Sequence, residues 1–310
     1  MPARAERVRF AVCWMLAVCC AAAVAGCGSG SGPDALTAPM QPDVLTAPVS
    51  VVRTAAGTVA YRELGSGPAL LLITGAGVSM DGWPPGFVDA LAAHHHVVVF
   101  DNAGVGRTSA VSVPALLSIT AMASQASALI AALRLGRPAV LGWSMGGMIA
   151  QALAVSHPAQ VSRLILAASA EGTGKARPLP PFATVSGLNP GQLATRLFPT
   201  NQGAAARAYL SAVQQYPGYY GVSAATFHSQ YLAAERWMAG QDAAGHLVAD
   251  IRVPTLVADG TLDPFEGPAN ARLLASTVPG AKLLLFHDAG HAFLFQDAAT
   301  FIPAVQTFIG

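Results

Sequence analysis

The five residues Gly142-Trp143-Ser144-Met145-Gly146 constrain this chain more than any other stretch. The apolar run Ala139 to Gly142 before them reads as a buried strand, and Met145 to Ser156 after them repeats apolar side chains at helical spacing. A serine at such a junction stands on a sharp turn with positive φ, and the chain two residues to either side passes close against neighbouring backbone. Glycine at 142 and 146 meets that crowding, and Gly147 lets the helix settle beneath the turn. The Ser144 hydroxyl then projects from a strand end, where the first N–H groups of the helix can stabilise a developing negative charge.

A serine so placed needs a base, and the base needs an orienting acid; on this scaffold both come later in the chain, acid before histidine, in loops after later strands. The apolar run Thr255 to Ala258 leads into Asp259-Gly260-Thr261-Leu262-Asp263-Pro264, and Leu283 to Phe286 leads into His287-Asp288-Ala289-Gly290-His291. Asp263 is the favoured acid and His291 the base. Asp259 is the alternative acid, but a residue inside a strand end more often caps the turn. The first strand-to-helix loop, Ile73-Thr74-Gly75-Ala76-Gly77, supplies the N–H of Ala76, which pairs with that of Met145 as the two oxyanion donors.

Around this junction the chain alternates. Val49 to Arg53 and Thr58 to Glu63 read as two antiparallel strands about Gly57. Continuous apolar runs follow at 69–73, 97–100, 139–142, 164–167, 255–258 and 283–286, each read as a strand buried on both faces. Helical patterns occupy 119–135, 145–156, 268–277 and 298–309. That order implies an α/β fold, a mostly parallel eight-stranded sheet with helices on both faces and ligands at the carboxyl ends of the strands. Residues 171–251 break the rhythm: they hold no strand pattern but do hold helical stretches at 203–215 and 224–239, so they read as a helical cap inserted after the sixth strand. The core is then 49–170 together with 252–310.

Seventeen basic and sixteen acidic side chains give a formal charge of +1, with only two lysines, so no basic field for nucleic acid is present. The four cysteines, Cys13, Cys19, Cys20 and Cys27, all lie near the N-terminus, which leaves the body without a disulfide or a cysteine metal site. Arg4, Arg7 and Arg9 precede the apolar run from Phe10 to Ala25, the order of an export signal. Val24-Ala25-Gly26-Cys27 resembles the lipobox of bacterial lipoproteins, which implies cleavage after residue 26 and acylation of Cys27. The alternatives are an ordinary signal peptide cut near Ala25 or an uncleaved anchor. Removal of 1–26 takes away three arginines and one glutamate and turns the net charge to −1. Residues 27–48, rich in Gly, Pro and small polar side chains, form a tether of about 25 Å average reach.

Other histidines and glycines have plainer readings. His94-His95-His96 looks like a metal cluster, but adjacent histidines converge poorly on one ion, and the run reads as a solvated loop before a strand. Gly104-Val105-Gly106 lacks the G-K-[ST] ending of a phosphate loop and reads as a structural turn beneath the site.

With these residues in place, 50–310 resembles the α/β-hydrolase superfamily through Ile73-Thr74-Gly75-Ala76-Gly77, Phe100-Asp101-Asn102-Ala103-Gly104, Gly142 to Gly147, Asp259 to Pro264 and Asp288 to Phe293, in the family's order. The resemblance implies a serine hydrolase acting on carboxylic esters, with Ser144, His291 and Asp263 as its triad and no metal or organic cofactor. Members with a serine also include peptidases or amidases and cofactor-free haloperoxidases, and a lipoprotein that keeps the fold as a binding module is a further reading. Thr74 stands where many members carry histidine, and Ala103 where many carry arginine. The expected partners are a small ester-type substrate and, through lipidated Cys27, the extracytoplasmic face of a cell membrane.

Overall fold

The computed structural model describes residues 42–108, 117–218 and 221–310. The export signal, Cys27 and the tether up to residue 41 lie outside these residues; the described end of the tether is docked rather than free, with Val44 buried and its N–H donating to Asp89 Oδ1 at 2.8 Å. Eight strands form one sheet: β1 (Ser50–Thr54), β2 (Gly57–Leu64), β3 (Ala69–Ile73), β4 (His96–Phe100), β5 (Ala139–Trp143), β6 (Arg163–Ala167), β7 (Thr255–Gly260) and β8 (Lys282–Phe286). Their order across the sheet is β1-β2-β4-β3-β5-β6-β7-β8. The β1–β2 and β2–β4 pairs are antiparallel and every later pair is parallel. After β3 the chain crosses to β4 on one side and then returns to β5 on the other. The order in which strands are added therefore reverses between β3 and β5, the place where such sheets open a crevice outside the carboxyl ends of the strands.

The parallel strands are apolar throughout because helices cover both faces. In β3, Leu70 and Leu72 join one core cluster while Leu71 and Ile73 join the other, and all four are fully buried. Each contributes about 1.5–3 kcal/mol of transfer free energy. One face carries α1 (Pro85–Ala92) and, at the chain's end, α8 (Phe293–Gln296) and α9 (Ala298–Ile309); the other carries α2 (Ile119–Ala132), α3 (Met145–Ser156) and α7 (Gly267–Thr277). Ser118 caps α2 by accepting from the Ala121 N–H at 3.1 Å. Ten of the twelve residues of α3 are buried, as expected for a helix apolar on every side.

Between β6 and β7 the chain forms α4 (Pro190–Leu197), α5 (Gly203–Val213) and α6 (Ala224–Met238). An Asn189–Gln192 capping box starts α4 with Pro190 at its first position, and Ser223 caps α6. These helices are tied to the loop after β3: Tyr209 donates to the Gly82 carbonyl at 3.1 Å, and Tyr216 to that of Trp83 at 2.8 Å.

Two expectations need correction. β8 is not buried on both faces, because the sheet ends there; Lys282 and Leu284 are exposed. The 94–96 run is not a solvated loop throughout. His95 is buried, and His96 opens β4 with its Nε2 3.0 Å from Glu63 Oε2 on β2, since the strand begins one residue before the apolar run.

Candidate active site

Ser144 follows β5 directly, with φ 57° and ψ −125°. The close approach around it is severe. A Cβ on Gly142 would stand 2.2 Å from the Gly146 carbonyl oxygen, and one on Gly146 would stand 2.1 Å from that of Ile73. Ser144 precedes α3 without capping it by its side chain, so the hydroxyl is available to the crevice. It lines a cavity of about 580 Å³, including its mouth, together with Ala76, Met145, Glu266 and His291. Apolar side chains from α4 and α6, among them Leu193, Leu197 and Phe227, form much of the remaining wall.

The structure brings His291 and Asp263 together although 28 residues separate them: Nδ1 of the imidazole lies 2.9 Å from Asp263 Oδ2. Burial alone would raise the Asp263 carboxyl, but the imidazole and the Phe265 N–H hold it below the usual aspartate value. Asp259, the alternative acid, does not reach His291. It is the penultimate residue of β7, accepts from the Gly260 N–H at 2.7 Å and lies against Asp263. Burial, and next the charge of Asp263, raise its carboxyl well above the usual value, the opposite direction to Asp263.

Trp143 fixes the histidine loop. Its indole N–H donates to the His291 carbonyl at 3.1 Å, and the two rings lie 5.7 Å apart. The loop after β3 is braced without a histidine at 74: the Asn102 amide donates to the Thr74 carbonyl at 3.0 Å, and Thr74 Oγ1 donates to the Val78 carbonyl at 3.2 Å. From α6, Gln230 reaches the same loop; its Oε1 accepts from the Gly77 N–H at 2.9 Å and its amide donates to the Ala103 carbonyl at 3.4 Å. Asp101 supports the loop from below by accepting from the Met80 N–H at 2.8 Å. The 101–106 segment is thus the structural turn its sequence suggests.

One residue escaped the sequence reading. Glu266 is buried in the loop after β7 and faces both other groups: Ser144 Oγ donates to its Oε1 at 3.4 Å, and its Oε2 lies 3.2 Å from His291 Nδ1. Among the described residues the Ser144 hydroxyl makes no direct bond to the imidazole. Burial raises Glu266 to about 8 against the pull of His291. Burial would lower His291, but Asp263 and then Glu266 outweigh it and bring the imidazole to about 9. The signal in the sequence was an acid three residues beyond Asp263, just before Gly267-Pro268. Asp263, Glu266 and His291 place three potential ligand atoms within 4.8 Å of one another. The nitrogen both carboxyls approach, Nδ1, is already engaged by Asp263 at 2.9 Å, and the cluster is read as a hydrogen-bonded one rather than as a metal centre.

Residues 68–298 match the family described as alpha/beta hydrolase fold. A poly(3-hydroxyalkanoate) depolymerase of Ectopseudomonas oleovorans is 30% identical over 253 residues, covering 77% of this chain and 83% of that protein. The polyketide synthase ThaQ of Burkholderia thailandensis is 32% identical over 254 residues, 79% of this chain but 12% of the synthase, so the chain spans only a small part of that relative. Among solved structures, an alpha/beta hydrolase fold protein from Chitinophaga pinensis superposes with a TM-score of 0.75 at 25% identity, covering 86% of this chain and 98% of that one. With the family match running over most of the sheet and through the Ser144, Asp263 and His291 positions, the chain belongs to the α/β-hydrolase fold family.

Proposed function

We propose that this protein is a serine hydrolase of carboxylic esters, with Ser144 as nucleophile, His291 as general base and acid, and Asp263 as the group that orients the imidazole. One observation carries the reading: a serine strained at φ 57° opens into the same buried cavity as a histidine bonded to a buried aspartate. In the reaction Ser144 Oγ attacks the acyl carbonyl while His291 takes its proton. The N–H groups of Ala76 and Met145 receive the oxyanion, the imidazolium protonates the departing alkoxide, and water activated by the same imidazole releases the acid. The Ser144 hydroxyl turns from Glu266 to the imidazole as substrate enters, in keeping with the loose hydrogen bonds of unliganded sites.

An ester with an apolar acyl group of medium size suits the cavity wall. A second hollow shares Val78, Val185, Leu193, Leu197 and Phe227 with the first and extends along α5, giving a longer chain somewhere to lie. Residues 171–251 act as a cap over the strand ends, an assignment supported by the α4 and α6 side chains in the wall. The similarity to a poly(3-hydroxyalkanoate) depolymerase supports ester chemistry. We further propose that the mature protein starts at Cys27 and is held by lipid on the outer side of a cell membrane. Among the described residues no helix is long and apolar enough to cross one.

The test is a fluorophosphonate probe followed by an ester screen. Wild-type protein should label at Ser144 and turn over p-nitrophenyl esters, and Ser144→Ala should lose both by several orders of magnitude while folding normally. Absence of labelling would favour a binding module, and turnover of aminoacyl anilides alone would favour a peptidase.

A further inference from the structure

Glu266 has no part in the three-residue mechanism, yet it occupies the most sensitive place in the cavity. It is 4% exposed, and among the residues lining that cavity it is the one acid. Its two oxygens divide between the two reacting groups, Oε1 at 3.4 Å from Ser144 Oγ and Oε2 at 3.2 Å from His291 Nδ1. The Oε2 atom, fully buried, makes no well-aligned hydrogen bond. A buried carboxyl oxygen without a hydrogen bond costs about 1–3 kcal/mol, more if charged, so a chain that needed only a filler here would do better with Leu or Met.

Building on the hydrolase reading, we propose that Glu266 is a positioning residue of the site: its carboxyl faces the Ser144 hydroxyl and the Nδ1 side of His291 together, and its charge decides when the imidazole is free to act as a base. The groups packed around it set the balance. Asp259 and Asp263 come from the end of β7 and its loop, His291 from the loop after β8, Tyr231 from α6 and Ser144 from the β5–α3 turn. Of these the imidazole is the cation, so carboxyl and imidazole titrate as a pair rather than as independent groups. An ionised Glu266 beside Nδ1 stabilises the imidazolium and accepts the serine hydroxyl, which keeps the base protonated and the nucleophile turned away. A neutral group at 266 leaves Asp263 as the only charge acting on Nδ1 and releases the hydroxyl.

The experiment follows the His291 ring and the Glu266 carboxyl by NMR across pH, alongside kcat/KM for a p-nitrophenyl ester. In wild type the imidazole should titrate near 9 and the carboxyl near 8. In Glu266→Gln, which keeps the shape and removes the charge, the imidazole midpoint should fall by about 1 unit or more, and the acid limb of kcat/KM should move down with it. Glu266→Asp, shorter but charged, should return the midpoint toward the wild-type value. An unchanged midpoint in Glu266→Gln overturns the proposal, because a merely structural role would leave it in place. Should that variant not fold, the wild-type carboxyl decides: a Glu266 resonance titrating in the ordinary carboxylate range also overturns it. The NMR readout is independent of turnover. A shifted midpoint without ester hydrolysis would sink the hydrolase reading alone, and hydrolysis with an unshifted midpoint would sink this one alone.

Discussion

Gln230→Leu tests whether α6 holds the loop that carries Ala76. The side chain is fully buried, and its Oε1 accepts from the Gly77 N–H at 2.9 Å. Leucine fills a similar volume but leaves that half-buried donor unpaired, a cost of about 1–3 kcal/mol at most. The Ala103 contact, at 3.4 Å, adds little, and the extra apolar burial returns about 1 kcal/mol. The net loss is up to about 2 kcal/mol, or a fall of at most roughly 4–8 °C in Tm for a domain of this size. The kinetic effect should be more informative. Removing an oxyanion donor outright costs about 100- to 1,000-fold in kcat, so a donor that is loosened rather than lost should cost about tenfold, with KM little changed. Thermal melts and saturation kinetics on one ester measure both. A lowered Tm with unchanged kcat would mean that Gln230 only fastens the helix, and the coupling of α6 to the proposed oxyanion loop would be refuted.

Three further outcomes are expected. Asp263→Asn should lower kcat by about four orders of magnitude, while Asp259→Asn, at a carboxyl bonded to the Gly260 N–H rather than to the imidazole, should stay within about tenfold of wild type; the reverse ranking would transfer the orienting role to Asp259. Asp101, raised by burial to about 6 from an unfolded value near 3.8, favours the native state while protonated; its contribution is complete below about pH 4 and is lost as pH rises through 6. Asp101→Asn should therefore gain about 2–3 kcal/mol relative to wild type between pH 4 and pH 7 in urea unfolding, and an equal difference at both pH values would show that the shift is not realised. Cys27→Ser should move the protein from the membrane to the soluble fraction of the producing cell, and continued retention would indicate an uncleaved helix.

The strands and the Ser144 turn were legible because their signals are local. A parallel strand covered on both sides must be apolar at every position, and a serine raised on a tight turn must have glycine two places away. The meeting of Asp263 and His291 could be anticipated from chain order, since loops at the carboxyl ends of successive parallel strands converge. Glu266 could not, because an acid just before Gly267-Pro268 looks like ordinary first-turn charge on a helix, and its inward direction depends on the loop path. Gln230 was hidden for a related reason: a polar residue on an amphipathic helix reads as solvent-facing, and its partner at Gly77 is 153 residues distant. The LLLF run of β8 misled in the opposite sense, because no local pattern records that the sheet ends there. α1 is short and begins at a Pro84-Pro85 pair, so its helical period had little room to show.

The strained backbone of the described residues is concentrated where the chemistry is proposed. Of four non-glycine residues with positive φ, Arg134 ends a helix, whereas Ser144, Ala168 and Asp288 follow the carboxyl ends of β5, β6 and β8. Each costs of order 1–3 kcal/mol, so something must hold it. The sheet does so by extending its hydrogen bonding past the strands. The Ser144 N–H donates to the Ala167 carbonyl at 2.9 Å, the Ala168 N–H to that of Ala258 at 2.8 Å, and the Asp288 N–H to Thr261 Oγ1 at 3.2 Å. Strained turns are thus locked to neighbouring strand ends or the loops that leave them, and relaxing one means breaking sheet structure that the two buried cores oppose. This is why the fold can present a strained serine and a cluster of buried carboxyls at one rim: the unfavourable features sit together, and each is fastened to the most stable part of the molecule.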